Sequence, residues 1–481
     1  MAERDAKHDL RRGKAFSPRI AAGLFAIGDG LAVFLTGLFL YLAYLGWNAE
    51  DKAQLYVTAM VIQSAIIVTT FYFLGLYGFD SLLRHLYSIK RIILSVSILF
   101  LVLIGLAFAL KLSFEYSRIW FFSWYLLTVA ALSILRGTTS YLVRSLARAG
   151  KLTRNLVIVG GGEQGVRLLE ALEKHREPWI RILGFFDDRT DRIPCQLGNH
   201  RLQGNLDGLI EFSRHTRVDE VLIAIPWEAE NRLLDIFRKL KVIPARIRLS
   251  PDKIGLNPLF HNFDRCCSIP MLDIFDKPIS DWNYVLKIIE DRVAGAVLLA
   301  ASAPIMLLIA IVIKTTSPGP VLFRQQRYGF NNQLIEVYKF RTMHHGQTDQ
   351  DASKLVTKGD SRVTPFGAFL RRTSLDELPQ FFNVLQGNMS IVGPRPHALQ
   401  AKAGNRLYEE VVSQYASRHK VKPGITGWAQ VSGWRGETDN EEKIQRRLEH
   451  DLHYIENWSL LFDLRIILRT ILVLFKNENA Y

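Results

Sequence analysis

The stretch TSLDELPQFFNVLQGNMSIVGPRP, residues 373–396, sets two adjacent carboxylates, Asp376 and Glu377, close in sequence to Arg371, Arg372 and Arg395. An aspartate with an ordinary pKa of about 4 is ionised at neutral pH and can attack phosphorus without a general base. A neighbouring glutamate could hold Mg²⁺, which takes one or two carboxylates plus phosphate oxygens. Arginines and metal together would offset charge on a transferring phosphoryl group. On a helix the two acids would project about 100° apart, so they suit two separate jobs rather than one shared proton. A solvated DE dipeptide on a helix surface is the competing reading, and the pair alone does not choose between them.

The surrounding motifs add cations. SPGPVLFRQQRYG supplies Arg324 and Arg327, VYKFRTM supplies Lys339 and Arg341, and RHKVKPGITGWAQVSGWRGET supplies Arg418. Arginine forms paired hydrogen bonds to phosphate and lysine adds a compact charge. Any one motif could be a solvated surface; their density around one acidic pair points to a phosphate site. No P-loop GxxxxGK[ST] is present, which argues against an ATPase, and no HExxH or Cys/His cluster suggests zinc.

Upstream, NLVIVGGGEQGVRLLEAL reads as a buried strand, a tight turn and a helix start. Gly160, Gly162 and Gly165 give GxGxxG, a turn that lets a phosphate approach a helix N-terminus. Asp187 and Asp188 fall about where a ribose-binding acid would sit. VDEVLIAIPW and ARIRLS read as further strands. Residues 150–265 are therefore expected to form a Rossmann-like α/β domain, with nucleotide binding as one reading and a structural or regulatory role as the other.

These elements are tethered to a membrane. The 481 residues are 49% hydrophobic with a formal charge of +14, a combination that suits membrane entry and anionic partners. No zinc-finger or RNA-binding signature accompanies the charge, so nucleic acid is not an expected partner. The only cysteines are Cys195, Cys266 and Cys267, with no disulfide framework, consistent with a reducing compartment. Four apolar stretches, about 20–45, 53–79, 92–110 and 119–135, each approach the roughly 20 residues needed to span a bilayer. Arg4, Lys7, Arg11, Arg12, Lys14 and Arg19 precede the first span, whereas only Lys52 follows it. Positive-inside bias then places both ends of a four-helix domain, residues 1–149, in the cytoplasm. Asp29 within the first span reads as functional or as a buried, hydrogen-bonded aspartate. A fifth apolar segment, 293–313, has Pro304 at its middle. Proline kinks a helix, and a bent, re-entrant helix would leave the cationic motifs beyond it on the cytoplasmic side. Near the C-terminus, Asp463, Arg465 and Arg469 interrupt an apolar segment; the two arginines share a helix face, which favours a helix lying at the interface over one that spans. A buried core helix is the alternative.

The motifs SPGPVLFRQQRYG, KFRTM, SLDELPQFFNVLQGNMSIVGPRP and RHKVKPGITGWAQVSG resemble the bacterial sugar transferase family, the polyprenyl-phosphate hexose-1-phosphate transferases, from about residue 287 to the C-terminus. The whole layout is similar to its large members that act on glucose. The resemblance implies a two-step reaction in which Asp376 attacks the sugar-linked phosphate of a UDP-hexose and releases UMP. The sugar phosphate then passes to undecaprenyl phosphate, the first step of exopolysaccharide or capsule assembly. It also implies that Glu377 binds Mg²⁺ and that the helix containing Pro304 is re-entrant, although Ala303 stands where some members have serine. The expected architecture is thus an α-helical membrane bundle, the Rossmann-like domain, a linker at 266–280 and a mainly α catalytic domain, 281–481, on the cytoplasmic face of a bacterial inner membrane. Membrane lipids are expected partners, and homo-oligomerisation is left open. Alternatives are a galactose-1-phosphate transferase of the same class, an NAD-dependent sugar-modifying enzyme, or a UDP-sugar sensor without turnover.

Overall fold

A computed structural model describes residues 18–46, 52–78, 85–148, 153–174, 180–189, 193–194, 196–251, 264–266, 269–344, 360–397, 402–403, 406–407, 415–434, 436 and 441–476. The charged tail before residue 18 lies outside the described residues, as do Cys195 and Cys267. The chain divides into two compact units, residues 12–154 and residues 155–481.

The described residues of the first unit hold four apolar helices, α1 (Pro18–Leu40), α2 (Ala53–Phe73), α3 (His85–Ala109) and α4 (Arg118–Arg148). Each contains a stretch long and apolar enough to cross a membrane. Leu24, Ile27, Leu31 and Leu35 on α1 are exposed at helical spacing, a lipid-facing stripe. The inner seam is aromatic: Trp120 and Trp124 donate their indole N–H groups to the carbonyls of Gly37 (3.1 Å) and Val33 (2.9 Å). Gly37 is required there, because a Cβ would sit 2.8 Å from the Trp124 Nε1. Asp29 is buried and pairs with Arg136 of α4 at 2.5 Å, so it is a satisfied clamp between helices.

The second unit begins with an eight-stranded sheet. In chain order come β1 (Arg154–Val159), α5 (Glu163–Lys174), β2 (Ile180–Phe186), β3 (Gln196–Leu197), β4 (His200–Gly204), α6 (Leu206–His215), β5 (Glu220–Ile223), α7 (Glu230–Leu240), β6 (Arg246–Leu249), β7 (Asp264–Cys266) and β8 (Ile269–Phe275). The strand order is β3-β4-β2-β1-β5-β6-β8-β7. The pairs β1/β5, β2/β4 and β5/β6 are parallel, whereas β8 is antiparallel to both β6 and β7. Alternation along β1 sends Leu156 and Ile158 into one core and Val157 and Val159 into the other. The linker expected at 266–280 is corrected here: Ile269–Phe275 is strand β8. Ile269 and Met271 are buried, and Asp273 pairs with the buried Arg248 at 2.7 Å, so the segment belongs to the sheet.

The catalytic region follows. It holds α8 (Asp281–Thr316), the hairpin β9 (Leu322–Tyr328) and β10 (Leu334–Phe340), α9 (Pro365–Thr373), α10 (Gln380–Gln386), β11 (Ser390–Val392), the two-residue strands β12 (Lys402–Ala403) and β13 (Arg406–Leu407), β14 (Gly424–Thr426), a single turn α11 (Trp428–Val431), α12 (Glu441–Glu456) and α13 (Leu460–Lys476). α8 runs through Pro304 as one helix. Its first half is tied down by Lys287, which pairs with Asp463 of α13 (2.6 Å), and by Asp291, which accepts from Ser390 Oγ (2.8 Å) and the Ile391 N–H (2.9 Å). Its second half buries Met306, Ile309 and Ile313 against Phe340 and Leu370. The hairpin tip joins the sheet region: Asn331 Nδ2 donates to the Ser213 carbonyl at 2.7 Å.

Candidate active site

The acidic pair does not lie on a regular helix. Ser374 closes α9 in the left-handed region (φ 58°), and Leu375–Glu377 forms one 3₁₀ turn before Pro379 and α10. With about three residues per turn, neighbouring side chains diverge by about 120°, so the acids point into different surroundings. Glu377 accepts from Lys339 Nζ (2.8 Å) and from both terminal nitrogens of Arg395 (3.1 and 2.5 Å). Asp376 is buried, 7% exposed, and accepts no hydrogen bond from any described residue. Its acceptor lone pairs are uncommitted.

The electrostatics separate the two acids. Burial raises the pKa of Asp376 and the Glu377 charge adds to the rise, while Lys339, Arg371 and Arg395 only partly offset it. Burial also works against the Glu377 carboxylate, but Arg395 and Lys339 outweigh it and hold its pKa well below the usual range. Desolvation and the neighbouring Arg395 charge pull the half-buried Arg327 down to about 10. It donates to Gln325 Oε1 and to the Pro396 carbonyl. A small cavity is lined by Arg327, Val337, Lys339, Gln380, Arg395 and Pro396, and so includes the two cations that hold Glu377.

Strand register decides which hairpin cations join. Ile335 pairs with Arg327, Val337 with Gln325 and Lys339 with Phe323, so Arg327 and Lys339 share a face. Arg324 pairs with Tyr338 on the opposite face, where it is exposed, lies over the Tyr338 ring and faces Glu336 at 3.6 Å. Arg371 reaches Thr342 Oγ1 at 2.9 Å and contributes to the field at Asp376. Arg372 is exposed and makes no ion pair among the described residues. Two expected phosphate ligands are spent on the scaffold. Arg341 is buried and donates to the carbonyls of Pro318 (2.9 Å) and Ser317 (2.8 Å), closing the end of α8. Arg418 is buried, pairs with Asp451 of α12 at 2.7 Å and donates to the carbonyl of Arg395 at 2.7 Å. It therefore braces Arg395 from behind. Sequence reasoning missed Asp451, Gln380 and Thr342, and nothing in their spacing announces them.

Glu377, a carboxylate held ionised, fits Mg²⁺ arriving with a diphosphate, since substrate oxygens and water would complete its shell. Among the described residues no group of three His, Cys, Asp or Glu side chains offers an all-protein cage.

The glycine turn of the sheet behaves differently. Gly160 takes φ 107°, and a Cβ on Gly165 would overlap the Gly160 carbonyl, so both glycines serve tight strand-to-helix packing. Asp187 does not await a ribose. It is buried, accepts the Gly161 N–H (3.0 Å) and the Arg189 N–H (3.0 Å), and pairs with Arg232 (2.6 Å). The turn's own carboxylate thus takes the Gly161 amide, and the Gly162 carbonyl accepts the Val166 N–H at 3.1 Å. This arrangement disfavours the NAD-dependent alternative.

Residues 282–477 match the family described as bacterial sugar transferase, and residues 72–251 match one described as CoA-binding domain. A UDP-glucose:undecaprenyl-phosphate glucose-1-phosphate transferase of Escherichia coli (strain K12) is 39% identical over 366 residues, 76% of each chain. The protein of that name from Klebsiella pneumoniae is 39% identical over 366 residues, 75% of this chain and 76% of the relative. That from Xanthomonas campestris pv. campestris is 37% identical over 379 residues, 76% of this chain and 74% of the relative. With the acidic turn, its paired cations and, among the described residues, five helices apolar enough to cross a membrane, this membrane protein belongs to the bacterial sugar transferase family.

Proposed function

We propose that the protein transfers glucose-1-phosphate from UDP-glucose to undecaprenyl phosphate, releasing UMP, with Asp376 as the nucleophile. The observation that carries this reading is the contrast inside the turn: Asp376 is buried with free acceptors, while Glu377 is clamped by Lys339 and Arg395. An Asp376 oxygen forms a bond to the sugar-linked phosphorus. The bond from that phosphorus to the bridging oxygen breaks, and its electron pair leaves with UMP. In the second step a phosphate oxygen of the lipid attacks the same phosphorus and expels the Asp376 carboxylate, regenerating it. Both nucleophiles are anions, so neither step needs a general base. Lys339, Arg395 and Arg327 lie where they can bind the diphosphate and offset charge as it develops. Glu377, with substrate oxygens, would hold Mg²⁺, whose charge would stabilise the phosphoryl group in transfer. The relatives' names support both substrates and the glucose.

We further propose that the site lies on the cytoplasmic face of the inner membrane, with α8 re-entrant. A straight helix of 36 residues would extend about 54 Å, well beyond a hydrocarbon core of about 30 Å. Yet α8 packs on the catalytic body at both ends, through Lys287, Asp291 and Gly295 and again through Met306, Ile309 and Ile313. A simple crossing would carry Phe340 and Leu370, with the adjoining Lys339, Arg371 and Arg372, into the bilayer, at a high cost in charge burial. Cysteine labelling beside Lys287 and Lys314 tests this; opposite-side accessibility overturns it. For the reaction, mass spectrometry of enzyme quenched after mixing with UDP-glucose alone should find a hexose-phosphate adduct on Asp376. Product formation by Asp376→Asn at a near-native rate would instead favour direct attack by the lipid phosphate.

A further inference from the structure

We propose that Arg465 and Arg469 of α13, seated on the Trp428 ring, form a second phosphate site, one that takes a phosphate carried at the membrane surface. The inference rests on the transferase reading above and extends it to the acceptor side. The two guanidinium carbons lie 5.8 and 5.1 Å from the centre of the Trp428 ring. They are one helical turn apart and so on one face. Cation–π contact holds a guanidinium by its charge and leaves its N–H edges free to donate.

Among the described residues, neither arginine has a hydrogen-bond or ion-pair partner. The acid on the same helix, Asp463, is fully buried and committed to Lys287 (2.6 Å) and to the Trp458 indole N–H (2.8 Å). Two adjacent cations with no carboxylate form an anion site, and a phosphate fits two forked donors. The membrane is implied by their neighbours. Leu461, Leu464, Leu468 and Leu472 follow at spacings of three and four and are 51–77% exposed, a lipid-facing stripe beside the arginines. Trp and Arg at such a boundary sit at headgroup depth.

The backbone links this site to the phosphoryl-transfer centre. β11 and β14 are parallel, with Val392 opposite Thr426, so both strands leave the pair at the same end. The Gly393 N–H donates to the Thr426 carbonyl at 2.9 Å, and a Cβ on Gly427 would overlap the Gly393 carbonyl. Arg395 follows Gly393 by two residues and Trp428 follows Gly427 directly. The donor's phosphate arginine and the Trp428 platform therefore flank one tight backbone crossing.

The phosphate has two sources at a bilayer, the undecaprenyl phosphate acceptor and an anionic headgroup. The full-length enzyme in phosphatidylcholine nanodiscs, titrated with undecaprenyl phosphate, separates them. If the acceptor binds here, Arg465→Gln/Arg469→Gln raises its KM by about tenfold or more, the loss expected for charge-assisted hydrogen bonds. Arg465→Lys/Arg469→Lys, which keeps the charge, recovers part of that loss. If headgroups bind here, the wild-type acceptor KM varies with added phosphatidylglycerol and the Gln pair abolishes that variation. An acceptor KM within twofold of wild type, together with an unchanged phosphatidylglycerol response, overturns the site. Single-turnover release of UMP without acceptor reports the donor half-reaction separately, so failure of the two-step reading appears there and not in the acceptor KM.

Discussion

Two buried aspartates in this chain, Asp187 and Asp376, face opposite fates. Asp187 sits at the end of β2, accepts two backbone N–H groups and pairs with Arg232. Burial works against its charge, but those backbone donors and the Arg232 and Arg189 charges prevail, and its pKa is lowered. Asp376, on the tight turn after α9, accepts no hydrogen bond from any described residue, and its pKa is raised. The first carboxylate spends its lone pairs on holding a turn. The second keeps its lone pairs uncommitted among the described residues, and burial without partners is the cost. The GxGxxG pattern draws the eye to Gly160–Gly165, yet the open acceptors lie on the acidic turn.

The largest expected effect comes from exchanging function for stability at these positions. Asp376→Asn should lower the rate of phosphosugar-adduct formation by at least about 10³-fold, as removal of a nucleophile does. Asp187→Ala should leave adduct formation by the folded fraction intact. It strands Arg232 and two amides, so unfolding in detergent should show a loss of about 3 kcal/mol. If Asp187→Ala abolishes the adduct at full stability, the contrast is wrong and the sheet domain takes part in the chemistry.

Next in size are the partners of Glu377. Arg395→Ala should cost about 2–4 kcal/mol of transition-state stabilisation, read from kcat/KM for UDP-glucose. Glu377→Gln should also impair turnover, and raised Mg²⁺ should restore part of it without restoring Asp376→Asn. Equal rescue of both variants would remove the division of labour between the two acids. Arg418→Met should reach Arg395 only through its backbone, so it should lower stability more than it changes kcat at saturating donor.

The sequence made the centre of this site legible and its borders much less so. Asp376, Glu377 and Arg395 lie within one contiguous motif, and Lys339 stands on a strand whose alternation is readable. The same alternation separates Arg324 from Arg327, since residues three apart on a strand face opposite ways. Arg418 and Arg341 looked like phosphate ligands because their partners are invisible in one dimension: Asp451 lies on a later helix, and Ser317 and Pro318 offer backbone carbonyls. The break at Ser374 also had no clear cue, because a left-handed serine is set by tertiary packing. Strand β8 escaped notice because its register depends on Arg248 of β6.

The smallest effect is a pH dependence of opposite sign at the two aspartates. An unfolded aspartate titrates at about 3.9. Asp187 has a folded pKa below that value, so its carboxylate contributes stability that is fully present above the unfolded pKa and is lost as pH falls through the folded one. The destabilisation by Asp187→Asn should therefore be constant near neutrality and shrink as pH drops below about 4. Asp376 has a folded pKa above the unfolded value, so its ionised form costs stability at neutral pH. Asp376→Asn should then raise stability at pH 7, with the gain fading as pH falls through the raised folded pKa towards about 4. The same shift places the acid limb of UMP release above the range of an ordinary aspartate. Lys339→Met, which removes the largest lowering charge, should move that limb higher still. Denaturant titrations of both asparagine variants across this range give the test. Pressing the two curves to the same sign would mean that Asp376 is solvated or paired in the membrane-bound enzyme, and its role as an uncommitted nucleophile would fail with that result.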